Sequence, residues 1–251
     1  MSRTLIALGT LAGLFTSTLP LYMKVRKNDK EGRNDESYEE ITKRLHSLIP
    51  VFNKSAGIEL DVKGVENIPD GPVLYVSNHQ GIYDPVALME TMKTVPGFFA
   101  KKEVENVPIM SAWMRELGCV FIDREDPSKA LGEINKGVEQ LKKGRSLAVF
   151  PEGTRSRSRD IGEFKGGAFI MAQRAKVPIV PVAMDGSYLL WENNNNKIKP
   201  CKIYIRVLKP IYDVDKMPRK EFRHITEAVR KKIQTELDVI KYIREKDENK
   251  Q

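Results

Sequence analysis

The chain has 251 residues, enough to bury one sizeable core and an ordinary length for an undivided α/β domain with appendages. Its 42 Lys and Arg against 34 Asp and Glu leave a formal charge of +8, which favours anionic partners: phospholipid headgroups, phosphorylated substrates, acidic carrier proteins or nucleic acid. Nucleic acid is set aside, because no basic-aromatic platform, zinc-finger spacing or helix-turn-helix pattern occurs. Cys119 and Cys201 lie in strand-like runs with no cysteine or histidine at metal-ligand spacing, so a reducing compartment and no metal site are expected.

Residues 4–23 carry no charge, while Arg3 precedes them and Lys24, Arg26 and Lys27 follow. A helix of that length extends about 30 Å, in principle enough to cross a hydrocarbon core. The pattern argues against a simple span. Leu5, Leu8, Leu11, Leu14, Phe15 and Leu19 gather on one side, whereas Gly9, Thr10, Gly13, Thr16 and Ser17 fall mostly on the other. One face is expected in lipid and the other against a neighbouring helix. Tyr38, Ile41, Leu45, Leu48, Ile49 and Phe52 provide that neighbour at helical spacing. Residues 1–55 therefore read as a helical membrane anchor, monotopic in preference to transmembrane. A signal peptide fits poorly, with a single arginine before the apolar run and no A-x-A-like site after it.

Residues 56–251 read as the α/β domain. Strands are predicted over residues 58–62, 73–76, 97–100, 119–122, 147–150, 179–184 and 203–208. Helices are predicted near 85–92, 109–117, 127–141 and 165–175, with a final one from about 219 to 243. The alternation predicts a mostly parallel β-sheet flanked by helices. Residues 193–196, four asparagines, mark an exposed loop.

Three segments follow predicted strands and would gather at the carboxyl ends of a parallel sheet, where ligands collect. The first is Asn78-His79-Gln80-Gly81-Ile82-Tyr83-Asp84-Pro85. A carboxylate beside a histidine fixes its tautomer and raises its basicity, so His79 with Asp84 reads as a general base. The pair meets only if the residues between form a turn, which Gly81 permits. The second is Asp123-Arg124, and the third Pro151-Glu152-Gly153-Thr154-Arg155, where a planar guanidinium suits phosphate oxygens and a glycine lets backbone N–H groups approach an anion. Lys165-Gly166-Gly167 adds helix N-terminal amides. Taken singly, these are also an ion pair, a turn and a solvated basic loop, and Arg157 and Arg159 are read as solvated. His46 and His224 lie in helical patterns and are expected to be exposed.

Together the motifs resemble the membrane glycerolipid acyltransferases, above all the bacterial 1-acylglycerol-3-phosphate (lysophosphatidate) acyltransferases. The resemblance covers about residues 71–182. It rests on His79 and Asp84 with four residues between, on the stretch from Gly118 to Arg124, on Phe150-Pro151-Glu152-Gly153-Thr154-Arg155-Ser156, and on Val177-Pro178-Ile179-Val180-Pro181. It implies that His79 deprotonates the 2-hydroxyl of a lysophosphatidate for attack on an acyl-carrier-protein or coenzyme A thioester, with Asp84 orienting His79. It further implies that Arg124, Arg155 and the Gly153 N–H hold the acceptor phosphate, that Glu152 positions the acceptor or the phosphate loop and Thr154 also belongs to the substrate-binding set, and that no cofactor and no covalent acyl-enzyme are needed. The implied location is the cytoplasmic membrane, with the catalytic domain facing the cytoplasm. Relatives acylating glycerol-3-phosphate or other lysophospholipids share these motifs, and a non-catalytic membrane-surface lipid-binding module is the alternative of another class. The apolar stripe Ile109, Met110, Trp113, Met114 and Leu117 is a candidate wall for an acyl groove.

Overall fold

The computed structural model describes residues 2–31, 36–123 and 126–248. The chain opens with helices α1 (Arg3–Thr16), α2 (Leu19–Lys30) and α3 (Tyr38–Ala56). Strands and helices then alternate: β1 (Ile58–Lys63), β2 (Leu74–Ser77), α4 (Asp84–Thr91), β3 (Gly97–Lys101), α5 (Pro108–Glu116), β4 (Val120–Ile122), α6 (Ala130–Lys142), β5 (Leu147–Val149), α7 (Gly167–Ala175) and β6 (Ile179–Asp185). The chain continues through β7 (Cys201–Val207), α8 (Arg219–Phe222) and α9 (Ile225–Glu248). Every predicted strand is present, with ends that move by one or two residues. The predicted final helix is broken at Arg223 and His224.

The seven strands form one sheet in the order β1-β7-β6-β2-β5-β3-β4. β2 to β6 run parallel; β7 is antiparallel to β6, and β1 pairs parallel with β7 at the edge. The central strands are buried on both faces, which is why their sequences read as apolar runs and not as alternations. In β2, Tyr75 joins the cluster with Ala87 and Leu88 of α4, while Leu74 and Val76 join the one with Phe169 of α7 and Val229 and Ile233 of α9. The sheet is thus sandwiched, α3 and α4 on one face and α6, α7 and α9 on the other.

The apolar stretch at the N-terminus is two helices bent by 44°, not one. Pro20 accounts for the break: it has no N–H, and its ring would clash with the carbonyl four residues earlier. The hydroxyls of Thr16, Ser17 and Thr18 cap the end of α1 by donating to the carbonyls of Gly13, Leu14 and Phe15. No single helix among the described residues is long and apolar enough to cross a membrane, although the bent pair has the combined length and composition.

α1 packs on α3, the predicted neighbour, but not by the predicted face. Gly9 and Gly13 have nothing within 4 Å, while Ala7 is fully buried in the core with Ala56 and Ile58. Thr18, one turn past Leu14 on that same side, is buried as well. Leu5, Ile6, Leu8, Leu11, Phe15, Leu19 and Met23 remain exposed. α2 packs against α5 through Leu21, Val25, Ala112 and Trp113.

Candidate active site

β6, β2 and β5 are adjacent, so the segments leaving their carboxyl ends share one crevice. Chain order reverses around β2, with β3 and β5 on one side and β6 on the other, which is where open α/β sheets place their ligand sites. His79 lies two residues beyond β2. Its Nδ1 is 2.7 Å from Asp84 Oδ2. The same oxygen accepts the backbone N–H groups of Gln80 at 2.6 Å and Gly81 at 3.0 Å. An oxygen receiving two backbone N–H donors acts as an acceptor, so Nδ1 is the ring nitrogen placed to donate to it and Nε2 is the one turned to a substrate. Among the described residues nothing hydrogen-bonds Nε2. The imidazole stacks on Phe150, centroids 4.2 Å apart.

The predicted turn between His79 and Asp84 is present, but Gly81 serves it differently from expectation. What Gly81 supplies is closeness: a Cβ there would stand 3.0 Å from Glu192 Oε2 and 3.2 Å from the Ser187 backbone. Asp84 itself is fully buried and begins α4, with Pro85 in the first turn.

Glu152 is buried and bridges two backbones: Oε1 accepts His79 N–H at 2.7 Å and Oε2 accepts Gly162 N–H at 2.8 Å. Burial raises its pKa, and those two N–H groups pull it back. Glu152 therefore holds the histidine loop to the loop after β5. Ser156 N–H and Arg157 N–H donate to the carbonyls of His79 and Gln80, so the two loops are sewn along their length.

Gly153 stands at φ 73°, a conformation that disfavours any side chain. Its N–H donates to the Phe150 carbonyl at 3.0 Å. That N–H, implied to face the acceptor phosphate, closes the turn here. Thr154 is exposed. Arg155 Nη1 lies 3.0 Å from Glu192 Oε1, in an ion pair that no sequence signal indicated.

Arg124 lies outside the described residues. Its neighbour Asp123 follows β4, which is separated from β2 by β5 and β3, about 14 Å at three strand spacings. Asp123 is paired with Lys129 at 3.0 Å and Lys102 at 3.7 Å. The sheet thus joins the segments after β2 and β5 closely and sets the β4 segment to one side.

Three further expectations are corrected. Arg159 is not a solvated residue: its Nε is 3.6 Å from the buried Asp185. His46 is half-buried, and its Nε2 meets the Met89 carbonyl at 2.9 Å. α7 begins at Gly167 with Gly166 as its cap, and Lys165, just before the cap, has its N–H engaged by the Pro151 carbonyl at 3.0 Å.

Beside the histidine loop opens an apolar cavity of about 440 Å³. Ile82, Tyr83 and Val86 connect it to the loop, and Ile109, Met110, Trp113, Met114 and Leu117 form the wall read from the sequence. Leu8, Leu11, Leu14 and Phe15 of α1 form another wall, so the N-terminal helix shapes the cavity as well as presenting an apolar exterior. Burial pushes the Cys119 and Cys201 thiols up to about 12 and about 11, so neither is a thiolate nucleophile near neutral pH.

The architecture and the site define the class: an α/β protein with a histidine–carboxylate pair at the carboxyl ends of a mostly parallel sheet. A family model described as Acyltransferase matches residues 59–185. A 1-acyl-sn-glycerol-3-phosphate acyltransferase of Borreliella burgdorferi is 32% identical over 204 residues, covering 78% of this chain and 79% of that protein. The enzyme of the same name from Saccharomyces cerevisiae is 33% identical over 195 residues, 76% of this chain and 64% of the relative. A probable 1-acyl-sn-glycerol-3-phosphate acyltransferase of Mycoplasma pneumoniae is 36% identical over 150 residues, 58% and 56% of the two chains. The alignments thus span less than two thirds of the yeast and mycoplasma relatives. The crystal structure of the 1-acyl-sn-glycerophosphate (LPA) acyltransferase PlsC from Thermotoga maritima shares the fold, with TM-score 0.74, 24% identity, and coverage of 95% of this chain and 96% of that one. The chain belongs to the acyltransferase family that includes the 1-acyl-sn-glycerol-3-phosphate acyltransferases.

Proposed function

We propose that this protein transfers an acyl chain from an acyl thioester to the 2-hydroxyl of 1-acylglycerol-3-phosphate, giving phosphatidate. The observation that carries the reading is the His79–Asp84 pair, 2.7 Å apart, on a loop whose next residues line an apolar cavity. The names borne by the relatives from Borreliella burgdorferi and Saccharomyces cerevisiae support the same substrate.

His79 Nε2 takes the hydroxyl proton as the acceptor oxygen bonds to the thioester carbonyl carbon. The tetrahedral oxyanion then collapses, the C–S bond breaks, and the leaving sulfur takes the proton from His79. Asp84 holds the imidazole and stabilises its transient positive charge. This route uses no metal or cofactor; the thioester, on acyl-carrier protein or coenzyme A, is a co-substrate. Arg155 and Arg124 bind the acceptor phosphate, Glu152 and Gly153 shape the loop that presents Arg155, and Thr154 sits between them at its exposed edge. The cavity takes an acyl chain. The exposed apolar side chains of α1 and α2 rest in the membrane surface without crossing it, so that lipid enters the cavity from the bilayer, with the α/β domain on the cytoplasmic side.

The test is an assay of the purified protein with lysophosphatidate and with glycerol-3-phosphate, each with both donors. Thioester-dependent phosphatidate formation is expected. Preference for glycerol-3-phosphate would displace the acceptor assignment, and steady thioester or ester hydrolysis without acceptor would indicate a hydrolase.

A further inference from the structure

Glu192 lies on a short 3₁₀ turn, Glu192–Asn194, beyond β6 and outside the residues matched by the family model. Its side chain is only 6% exposed. One oxygen, Oε1, accepts the Ile82 N–H at 2.7 Å and Arg155 Nη1 at 3.0 Å. Ile82 lies between His79 and Asp84, so a single carboxylate oxygen ties the loop of the base to the guanidinium on the neighbouring loop. The other oxygen is buried without a hydrogen-bond partner, against the bare face of Gly81. The two residues before Glu192, Leu190 and Trp191, line the apolar cavity.

A buried carboxylate needs a counter-charge, and Arg155 is the cation that supplies it here. In return, Glu192 fixes one end of a long, rotamer-rich side chain. Arg155 makes no other hydrogen bond among the described residues, so its remaining N–H donors are free for a ligand. We infer that Glu192 is a positioning residue for the acceptor: it pre-orders Arg155 to receive the phosphate and fixes that guanidinium relative to His79. The inference rests on the reading of Arg155 as a phosphate ligand.

Glu192→Gln separates the two duties. Its amide oxygen still accepts from Ile82, but the charge that holds Arg155 is gone. In the purified full chain, KM for 1-acylglycerol-3-phosphate should rise by about fivefold to twentyfold, the range for one charge-assisted contact between coupled residues. The donor KM and kcat should stay within about twofold, since the base and its loop keep their partners. In an Arg155→Ala background, Glu192→Gln should add no further rise in acceptor KM, because the two substitutions remove the same interaction. Glu192→Asp, which keeps the charge but withdraws it, should give an intermediate KM and serves if the glutamine variant does not fold. If Arg155→Ala raises the acceptor KM and neither Glu192 variant does, the inference fails while the phosphate reading stands. An equal loss of kcat in both backgrounds would make Glu192 structural only and also overturn it. No effect of Arg155→Ala on the acceptor KM would remove both.

Discussion

Asn78 continues the sheet with its side chain: its amide donates to the Met184 carbonyl at 2.8 Å, and its oxygen accepts the Met184 N–H at 2.9 Å. Gln80 repeats the device one step on, donating to Asp185 and accepting from Gly186 N–H. Residues 78 and 80 thus bond toward β6, while the intervening His79 stacks on Phe150, the residue after β5. Asn78→Ala would leave both Met184 groups without those partners in a buried site, at about 1–3 kcal/mol for each. The expected outcome is a clear drop in Tm together with lower kcat, read by thermal unfolding and steady-state assay.

His79→Ala should lose acyl transfer by about 10²- to 10⁴-fold, the usual worth of a general base, in a protein that still folds but melts somewhat lower, because the ring stacked on Phe150 and bonded to the buried Asp84 is gone. Asp84→Asn should also be slow, because an amide can hold the imidazole in the wrong tautomer. A His79→Ala variant that keeps more than a tenth of wild-type turnover would remove histidine from the chemistry.

Arg155→Ala should raise the acceptor KM by an amount matching about 1.5–3 kcal/mol, the worth of a hydrogen bond to a charged group, and leave the donor KM alone. Arg124→Ala is expected to act in the same direction. Arg157→Ala is the control, since Arg157 is exposed. A rise confined to the donor KM would reassign these arginines to the donor's phosphates.

Met114→Trp places bulk in the 440 Å³ cavity from a half-buried position on its α5 wall. Chain-length preference should move to shorter acyl groups, with little change for the shortest. An unchanged profile across a donor series would place the acyl chain elsewhere.

Leu5→Glu combined with Met23→Glu alters two exposed side chains that do not line the cavity. The protein should move from the membrane pellet toward the soluble fraction, while activity on detergent-dispersed lysolipid persists. Single cysteines at Ser2 and Glu31, in a chain with Cys119 and Cys201 replaced, should label from the same side of sealed vesicles. Labelling from opposite sides would make the bent pair a span.

The central strands were legible because strands covered on both faces need unbroken apolar runs, and the edge strand β1 because Ile58, Leu60 and Val62 alternate with charged residues. The base was legible because His79 and Asp84 act across one local turn. Glu192, Asp185 and Arg244 were not. Arg244 comes back from α9 to bond Asp185 at 3.0 Å, and it fits because a Cβ on Gly186 would collide with it. Such contacts depend on which strand lies beside which, and no local pattern encodes that. The bend after α1 had its signal in Pro20, but the lack of charge over residues 4–23 suggested continuity, and α1's contact face was misread because small residues were taken as the packing side.

β1 finds its sheet partner only in β7, near the opposite end of the chain, and the edge it forms carries α3 with it. Pairings this distant in sequence close late, after the intervening segments have collapsed. β1 can therefore join the sheet only once β7 is in place, whereas α1, α2 and α3 also contact α3, α5 and α4, partners that precede β7 in the chain. A chain ending before Cys201 would keep those helix contacts and leave β1 without its strand partner.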